Sequence, residues 1–181
     1  MRMNKPKLLL HICCAPDATV VFERLIPNYN LTGYFYNPNI HPREEYEKRL
    51  KEMQALASKL SLPLLVGKYD DHRWFNLTRG YEDEEEGGKR CPICFTLRLR
   101  ETARSAREGG MDFFATVLTV SPHKDAALIN TIGRSISEEL GIPFLEADFK
   151  KKDGFKRSVE LSRKFGLYRQ NYCGCEYSRR K

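Results

Sequence analysis

The sequence LLLHICCAPD, residues 8–17, runs from an apolar stretch directly into two adjacent cysteines and a proline. A short, continuous apolar run is typical of a strand that is buried in a parallel sheet. Proline and aspartate are typical of the first turn of a helix, where the proline needs no N–H partner and the negative charge suits the helix dipole. The stretch therefore predicts a buried strand followed at once by a helix, with Cys13 and Cys14 at the junction.

The rest of the chain continues this alternation of apolar strands and amphipathic helices. Strands are predicted at Lys7–Ile12, Leu31–Tyr36, Leu62–Val66, Phe113–Val120 and Pro143–Ala147. Helices are predicted at Pro16–Leu25, Arg43–Leu60, Phe95–Glu108, Ala126–Leu140 and Phe155–Phe165. Because strand and helix alternate with short joints, the sequence predicts an α/β fold with a three-layer, doubly wound parallel sheet.

The domain organisation follows from the length and from two unusual segments. A chain of 181 residues fits one domain, so we expect a single α/β domain over residues 1–181. Residues 70–94 interrupt the alternation, and their acidic run YEDEEEGGKR predicts an exposed insertion that leads to Cys91. The C-terminal tail, residues 168–181, is basic and contains two cysteines.

The composition narrows the class of protein. The formal charge is +7, from 31 Lys and Arg against 24 Asp and Glu, which favours a polyanionic partner. No apolar run is long enough for a signal peptide or a membrane-spanning helix, so we expect a cytoplasmic protein with no membrane partner. Six cysteines in that reducing compartment favour metal binding or redox chemistry over a disulfide scaffold.

The cysteines form three close pairs, an arrangement that itself favours metal or redox chemistry. The pairs are Cys13–Cys14, Cys91–Cys94 and Cys173–Cys175. The first two pairs lie at predicted helix starts, where the helix dipole favours thiolates, and four converging sulfurs suit either zinc or an iron–sulfur cluster. Two alternatives stay open: the first pair as small buried hydrophobes, and the second as a thioredoxin-type dithiol.

The third pair and two neighbouring side chains are candidate catalytic groups. A disulfide between Cys173 and Cys175 would be strained and easily reduced, which is typical of catalytic disulfides. A metal-binding tail or two spare thiols are the alternatives. Asp17 is either a charge at the helix start or an extra metal ligand, and His123 is a candidate proton donor or phosphate contact.

Six further side chains are candidate nucleic-acid contacts, because arginines suit phosphates and aromatic rings stack on unpaired bases. They are Arg100, Arg104, Arg107, Tyr172, Arg179 and Arg180. The first three recur at helical spacing and would form a ladder of phosphate size. Such a row is also typical of a solvated helix face, so both interpretations stay open.

Five segments of the sequence together resemble the QueH type of epoxyqueuosine reductase. They are LLLHICCAPD (8–17), GYFYNPNIHPREEY (33–46), RCPICFTLRL (90–99), TVLTVSPHKD (116–125) and YCGCEYS (172–178). The fold of this family is similar to the adenine-nucleotide-hydrolase-like (HUP) group that includes the PP-loop ATPases. The CCAPD sequence stands where a PP-loop has a phosphate cradle rich in glycine and serine.

The resemblance implies an oxidoreductase that performs the last step of queuosine biosynthesis. Epoxyqueuosine at the wobble position of tRNAs with GUN anticodons would be deoxygenated to queuosine, with electrons from an unidentified donor. A [4Fe–4S] cluster would be held by Cys13, Cys14, Cys91 and Cys94. A redox-active disulfide would join Cys173 and Cys175. Our mechanistic hypothesis adds an additional iron ion or a proton donor at Asp17 or His123.

Two other functions are compatible with the sequence. A zinc-stabilised tRNA-binding module without catalysis would use the same cysteines as structural ligands. An ATP-dependent, tRNA thiolase-like enzyme of the same fold group would need a phosphate cradle, which the CCAPD sequence does not supply.

Overall fold

The computed structural model describes residues 5–179. The strands are β1 (Lys7–His11), β2 (Asn30–Phe35), β3 (Leu64–Val66) and β4 (Phe113–Thr116). The α-helices are α1 (Ala15–Leu25), α2 (Arg43–Lys59), α3 (Asp71–Thr78), α4 (Arg90–Glu108), α5 (Ala126–Leu140) and α6 (Gly154–Phe165). Two 3-10 turns cover Leu118–Val120 and Glu176–Ser178. No helix among the described residues is long and apolar enough to cross a membrane.

The strands form one parallel sheet in the order β3-β2-β1-β4. In the central strand β1, Leu9 pairs with Thr32 of β2 and with Phe114 of β4. The leucines of β1 are fully buried because helices cover both faces of the sheet. The helix α1 packs against α2 and α6. The helix α4 packs against α3 and α5. The predicted three-layer, doubly wound α/β fold is confirmed.

The predicted strand Pro143–Ala147 is reduced to a single parallel bridge between Phe144 and Phe114 of β4. Its first residue is a proline, which has no N–H to donate to a strand ladder. The backbone of Ala147 pairs with the side-chain amide of Asn130 in α5, at 3.2 and 3.3 Å. A side chain therefore takes the hydrogen bonds that a neighbouring strand would have made.

Both edge strands are shorter than the sequence predicts. β3 begins at Leu64 rather than two residues earlier. β4 ends at Thr116, where the Thr116 Oγ1 accepts a hydrogen bond from the Leu118 N–H at 3.1 Å. This bond belongs to the 3-10 turn over Leu118–Val120, which ends the strand.

The insertion contains more helix than the sequence predicts. The helix α4 begins at Arg90 rather than at Phe95, so Cys91 and Cys94 both lie within its first five residues. The helix α3 was not predicted, because eight residues are too few to show a clear helical period. Residues 79–89, which carry most of the acidic run, lie between α3 and α4 as turns with exposed or half-buried side chains.

Gly133 allows α5 to approach the segment that follows it. A Cβ at this position would lie 2.3 Å from the ring of Phe144, which packs on Phe114. We expect Gly133→Ala to lower the free energy of unfolding by about 1–3 kcal/mol through overpacking. Urea denaturation would show this as a lower midpoint at unchanged slope. Ser135→Ala, on the exposed side of α5, is the control, and equal stability of the two variants would contradict the prediction.

Candidate metal centre

The carboxyl ends of the parallel strands meet at one edge of the sheet, which is where open α/β folds bind ligands. Cys13 and Cys14 follow β1 at this edge, Asn37 follows β2, and His123 follows β4 and its 3-10 turn. The Asn37 Nδ2 donates a hydrogen bond to the carbonyl of Ile12 at 2.8 Å, which ties the loop after β2 to the end of β1. The fold therefore brings the first cysteine pair to the ligand edge, as the sequence predicts.

The first cysteine pair forms a compact group with a carboxylate. The Cys13 Sγ lies 3.9 Å from the Cys14 Sγ and 3.9 Å from the Asp17 Oδ2. The three ligand atoms all lie within 4.8 Å of one another, and all three side chains are buried. Asp17 comes into range because α1 begins at Ala15, which places it one helical turn beyond Cys13.

The second cysteine pair lies at the start of α4, where the helix dipole favours negative charge. Two N–H donors face its sulfurs. The Gly87 N–H donates to the Cys91 Sγ at 3.2 Å, and the Arg98 Nη1 donates to the Cys94 Sγ at 3.6 Å. The Arg98 Nη2 also donates to the Asn37 Oδ1 at 3.3 Å, so the Asn37 side chain links Arg98 of α4 to the end of β1.

Two adjoining cavities border the cysteines. The Cys91 cavity is lined by Cys91, Cys94 and Cys175. The Cys13 cavity is lined by Cys13 and Asp17. The residues that line both cavities are Glu86, Arg98, His123, Lys124, Cys173 and Ser178. Each of the three cysteine pairs therefore contributes at least one residue to the lining of the same recess.

The sulfurs of Cys91 and Cys94 do not join the Cys13 group around a single ion. A Zn–S bond is about 2.3 Å long, so sulfurs that share one zinc lie within about 4.6 Å of each other. Within residues 5–179, no group of three ligand atoms that includes Cys91 or Cys94 lies within 4.8 Å. A cluster binds its cysteines through several irons, so its ligands are more widely spaced. Two thiol pairs at two helix starts fit this requirement.

Positive charge faces the sulfurs from inside the protein. Burial lowers the pKa of Arg98, but the neighbouring Cys94 and Cys13 sulfurs raise it above its usual value. Burial lowers the pKa of Lys124 too, but the negative charges of Cys13, Cys173 and Asp17 together raise it above its usual value. A hydrogen bond from Cys14 is the main reason that the pKa of Cys13 is lowered. The site therefore favours a thiolate at Cys13.

The two tail cysteines differ in their environments. The Cys173 Sγ accepts a hydrogen bond from the Cys175 N–H at 3.4 Å and lies 2.9 Å from the Ser178 Oγ. A hydrogen bond from the Cys175 thiol, assisted by the charge of Lys124, lowers the pKa of Cys173 well below its usual value. The same contact raises the pKa of Cys175. These shifts favour a thiolate at Cys173 and a protonated thiol at Cys175.

The tail is fastened to α2 and to the loop after β2. The Arg49 guanidinium donates to the carbonyl of Cys173 at 3.0 Å and to the preceding carbonyl at 3.1 Å. The His41 N–H donates to the Gly174 carbonyl at 2.7 Å. Gly174 has a φ of +117°, and a Cβ there would lie 2.8 Å from the Ile40 side chain. The central residue of the Cys-Gly-Cys motif therefore has to be glycine.

Some of the predicted site residues lie at the recess. His123 is exposed and lines both cavities, while Tyr172 lines the Cys13 cavity. The Arg179 guanidinium lies 5.8 Å from the centre of the Tyr172 ring, so these two predicted contacts are adjacent. Arg180 lies outside the described residues.

The helical arginines do not lie among the described lining residues of either cavity. The Arg100 Nη2 lies 2.6 Å from the Glu139 Oε2, and the Arg107 Nη1 donates to the Leu140 carbonyl at 3.4 Å. Both contacts join α4 to α5. The Arg104 Nη1 lies 3.9 Å from the Glu101 Oε2 on the same helix, and the Arg104 side chain is 47% exposed. All three arginines have protein partners, and the phosphate ladder stays a prediction.

Three cations that surround the cysteines were not predicted from the sequence: Arg49, Arg98 and Lys124. Arg49 is more than 120 residues away along the chain from the carbonyls it binds, so its role depends on the folded structure. The spacing of four residues between Cys94 and Arg98 was the one available signal, since residues so spaced on a helix are neighbours.

Comparison with known proteins identifies the family. The family model described as "Epoxyqueuosine reductase QueH" matches residues 8–181, which include all six cysteines. The chain belongs to this family. Among curated proteins named epoxyqueuosine reductase QueH, the Streptococcus pyogenes protein is 41% identical over 96% of this chain and 71% of its own. The Thermotoga maritima protein is 39% identical over 94% of this chain and 89% of its own. The family resemblance is confirmed.

Two solved structures share the fold. The U34-tRNA thiolase NcsA from Methanococcus maripaludis, solved with its [4Fe–4S] cluster, has a TM-score of 0.62 at 16% identity. The match covers 98% of this chain and 63% of the thiolase chain. A protein from Methanocaldococcus jannaschii, described as a predicted subunit of tRNA methyltransferase, has a TM-score of 0.51 at 12% identity over 88% of each chain. At these identities the similarity establishes a shared fold.

We expect Arg49→Met to release the tail from α2, because the variant keeps the apolar stem but loses the charged donors. Charged hydrogen bonds contribute about 1.5–3 kcal/mol, so amide exchange over residues 172–178 should become roughly tenfold to hundredfold faster. Hydrogen exchange by mass spectrometry measures this change. Arg43→Met removes an exposed arginine from the same helix and should leave exchange in the tail unchanged. Equal protection of the tail in both variants would contradict the proposed role of Arg49.

Proposed function

We propose that this chain is an epoxyqueuosine reductase, which converts epoxyqueuosine to queuosine at the wobble position of tRNA. The carrying observation is that each of the three cysteine pairs contributes at least one residue to one recess, with Cys173 lining both of its cavities. Membership of the epoxyqueuosine reductase QueH family supports the substrate and the reaction. A recess that combines metal-ligating thiols with a separate dithiol suits a reductive reaction better than simple RNA binding.

The proposed reaction balances with a dithiol as the immediate reductant. Both C–O bonds of the epoxide break, a C=C bond forms, and the oxygen leaves as water, which consumes two electrons and two protons. Oxidation of the Cys173 thiolate and the Cys175 thiol to a disulfide releases two electrons and one proton, and the second proton would come from Asp17 or His123. Cys173 and Cys175 would therefore supply the electrons of one turnover, and an unidentified electron donor must reduce their disulfide before the next.

We propose that four cysteines hold a [4Fe–4S] cluster: Cys13, Cys14, Cys91 and Cys94. Among residues 5–179, no group of three ligand atoms that includes Cys91 or Cys94 is close enough to share one ion, whereas a cluster can join two pairs that lie apart. When bound, the cluster would supply one-electron transfer and Lewis acidity beside the tail thiols. Burial of the ligands excludes water, and the N–H of Gly87 and the guanidinium of Arg98 stabilise negative charge on the sulfurs.

Asp17 and His123 are the proposed acid–base groups or ligands. Burial raises the pKa of the Asp17 carboxyl, whose Oδ2 lies 3.9 Å from the Cys13 Sγ. Asp17 is therefore placed either to bind an additional iron ion through Oδ2 or to hold a proton there for the formation of water. His123 lies at the solvent-exposed rim of both cavities, where its imidazole suits proton exchange or contact with a phosphate.

The tRNA is proposed to approach over the basic tail. The Tyr172 ring borders the Cys13 cavity, and the nearby Arg179 adds positive charge, a combination that suits an unpaired base and its phosphate. The other proposed tRNA contacts are Arg100, Arg104, Arg107 and Arg180. The net charge of +7 supports binding of a polyanion. Since the substrate is a tRNA with a GUN anticodon, we propose that the enzyme acts in the cytoplasm.

Metal analysis after anaerobic purification, followed by an assay on tRNA that carries epoxyqueuosine, tests the proposed function. We expect brown protein with iron and inorganic sulfide, broad visible absorbance that bleaches on reduction, and queuosine as the product. Colourless protein with zinc would favour a tRNA-binding module without catalysis. An intact cluster that yields no product with a strong reductant would overturn the proposed activity.

Serine variants of the tail cysteines test the dithiol. Cys173→Ser and Cys175→Ser should keep the visible absorbance of the cluster but lose sustained turnover, because neither can form the disulfide. Absorbance spectra and the amount of queuosine formed per enzyme over time measure the two properties separately. Cys13→Ser is the matched control, which should lose iron and absorbance. Turnover at the normal rate in either tail variant would refute the relay.

A further inference from the structure

Arg98 is a buried cation that has no carboxylate partner in the part of the chain that the structure describes. Its side chain is 3% exposed, and no carboxylate oxygen of residues 5–179 lies within 4.0 Å of its nitrogens. The other buried arginines differ: Arg49 pairs with Glu45 at 2.7 Å, and Arg90 donates to three carbonyls of its own loop. An isolated buried charge is unfavourable, so a stable Arg98 requires an anion within the recess.

The contacts of Arg98 direct its charge at the cysteines. The Nη1 donates to the Cys94 Sγ at 3.6 Å, and the Nη2 donates to the neutral Asn37 side chain at 3.3 Å. Asn37 is itself fixed by its hydrogen bond to the Ile12 carbonyl. The Nε is buried and has no hydrogen-bond partner among the described residues. Arg98 also lines both cavities, so it borders the Cys91 cavity and the Cys13 cavity.

We propose that Arg98 is a positioning residue, which acts as the buried counter-charge of the cluster and raises the reduction potential of the cluster. This inference rests on the proposed cluster. A [4Fe–4S] cluster bound by four thiolates is an anion, and reduction adds a further negative charge. A fixed positive charge beside the ligands therefore favours the reduced form. Hydrogen-bond donation to the Cys94 sulfur acts in the same direction, since donors to ligand sulfurs are among the groups that set cluster potentials.

The reduction potential tests this role, because a purely structural residue would not shift it in proportion to charge. We would purify the full chain anaerobically as Arg98→Gln, which removes the charge, and as Arg98→Lys, which keeps it. Arg104→Gln removes one exposed charge from the same helix and is the control. Redox titration monitored by electron paramagnetic resonance gives the midpoint potential of each, and iron and sulfide analysis gives the cluster content.

We expect Arg98→Gln to lower the equilibrium constant for reduction of the cluster at least tenfold. This corresponds to a shift of the midpoint potential by about 59 mV to more negative values for one electron. Arg98→Lys should shift less, and Arg104→Gln should match the parent protein. An Arg98→Gln cluster with the parent potential, or a shift equal to that of Arg104→Gln, would overturn the proposal.

Cluster content decides the outcome if Arg98→Gln does not retain its cluster. Retention by Arg98→Lys would then support a requirement for charge, whereas loss in both variants would assign Arg98 a packing role and overturn the proposal. A parent protein without any cluster would instead refute the proposed function. The same metal analysis distinguishes these results, so failure of the inference and failure of the function are separable.

Discussion

The site depends on the parallel pairing of β1 with β2 on one side and β4 on the other. This central position buries the strand on both faces. The residues that follow β1 can therefore meet a ligand only at the carboxyl end of the sheet. Cys13 and Cys14 are placed there by the register, and α1 starts immediately afterwards. The loops after β2 and β4 begin at the same edge, so Asn37 and His123 lie at this edge too. A shift in the register would move Cys13 and Cys14 out of position relative to Asn37 and His123.

The sequence predicts the elements that have a strong local pattern, and it fails where distant contacts decide the structure. The strand over Lys7–Ile12 and the pairing of the cysteines are visible as local patterns. The segment Pro143–Ala147 also has an apolar strand pattern, but it pairs with β4 only around Phe144, and the side chain of Asn130 takes the backbone bonds of Ala147. The start of α4 at Arg90 was missed because the acidic run before it looks like a loop. Buried cations such as Arg98 are not distinguishable in sequence from surface arginines.

The positive charge of the chain has two uses that the composition does not separate. The net charge of +7 favours a polyanionic partner. The structure shows that three arginines, Arg49, Arg90 and Arg98, are almost fully buried. Arg49 fastens the tail and Arg90 shapes the acidic loop, whereas Arg98 faces the sulfurs. Part of the basic composition therefore builds the recess from inside, and the remainder is available at the surface.

The central claim is that two distant cysteine pairs hold one iron–sulfur cluster beside a separate dithiol. Diffraction from anaerobically grown crystals at the iron absorption edge tests it most directly, because anomalous density locates iron without reference to activity. We expect one compact iron peak bonded to the sulfurs of Cys13, Cys14, Cys91 and Cys94, and no cluster iron bonded to Cys173 or Cys175. Iron bound to one pair alone, or a cluster ligated by the tail cysteines, would contradict the account.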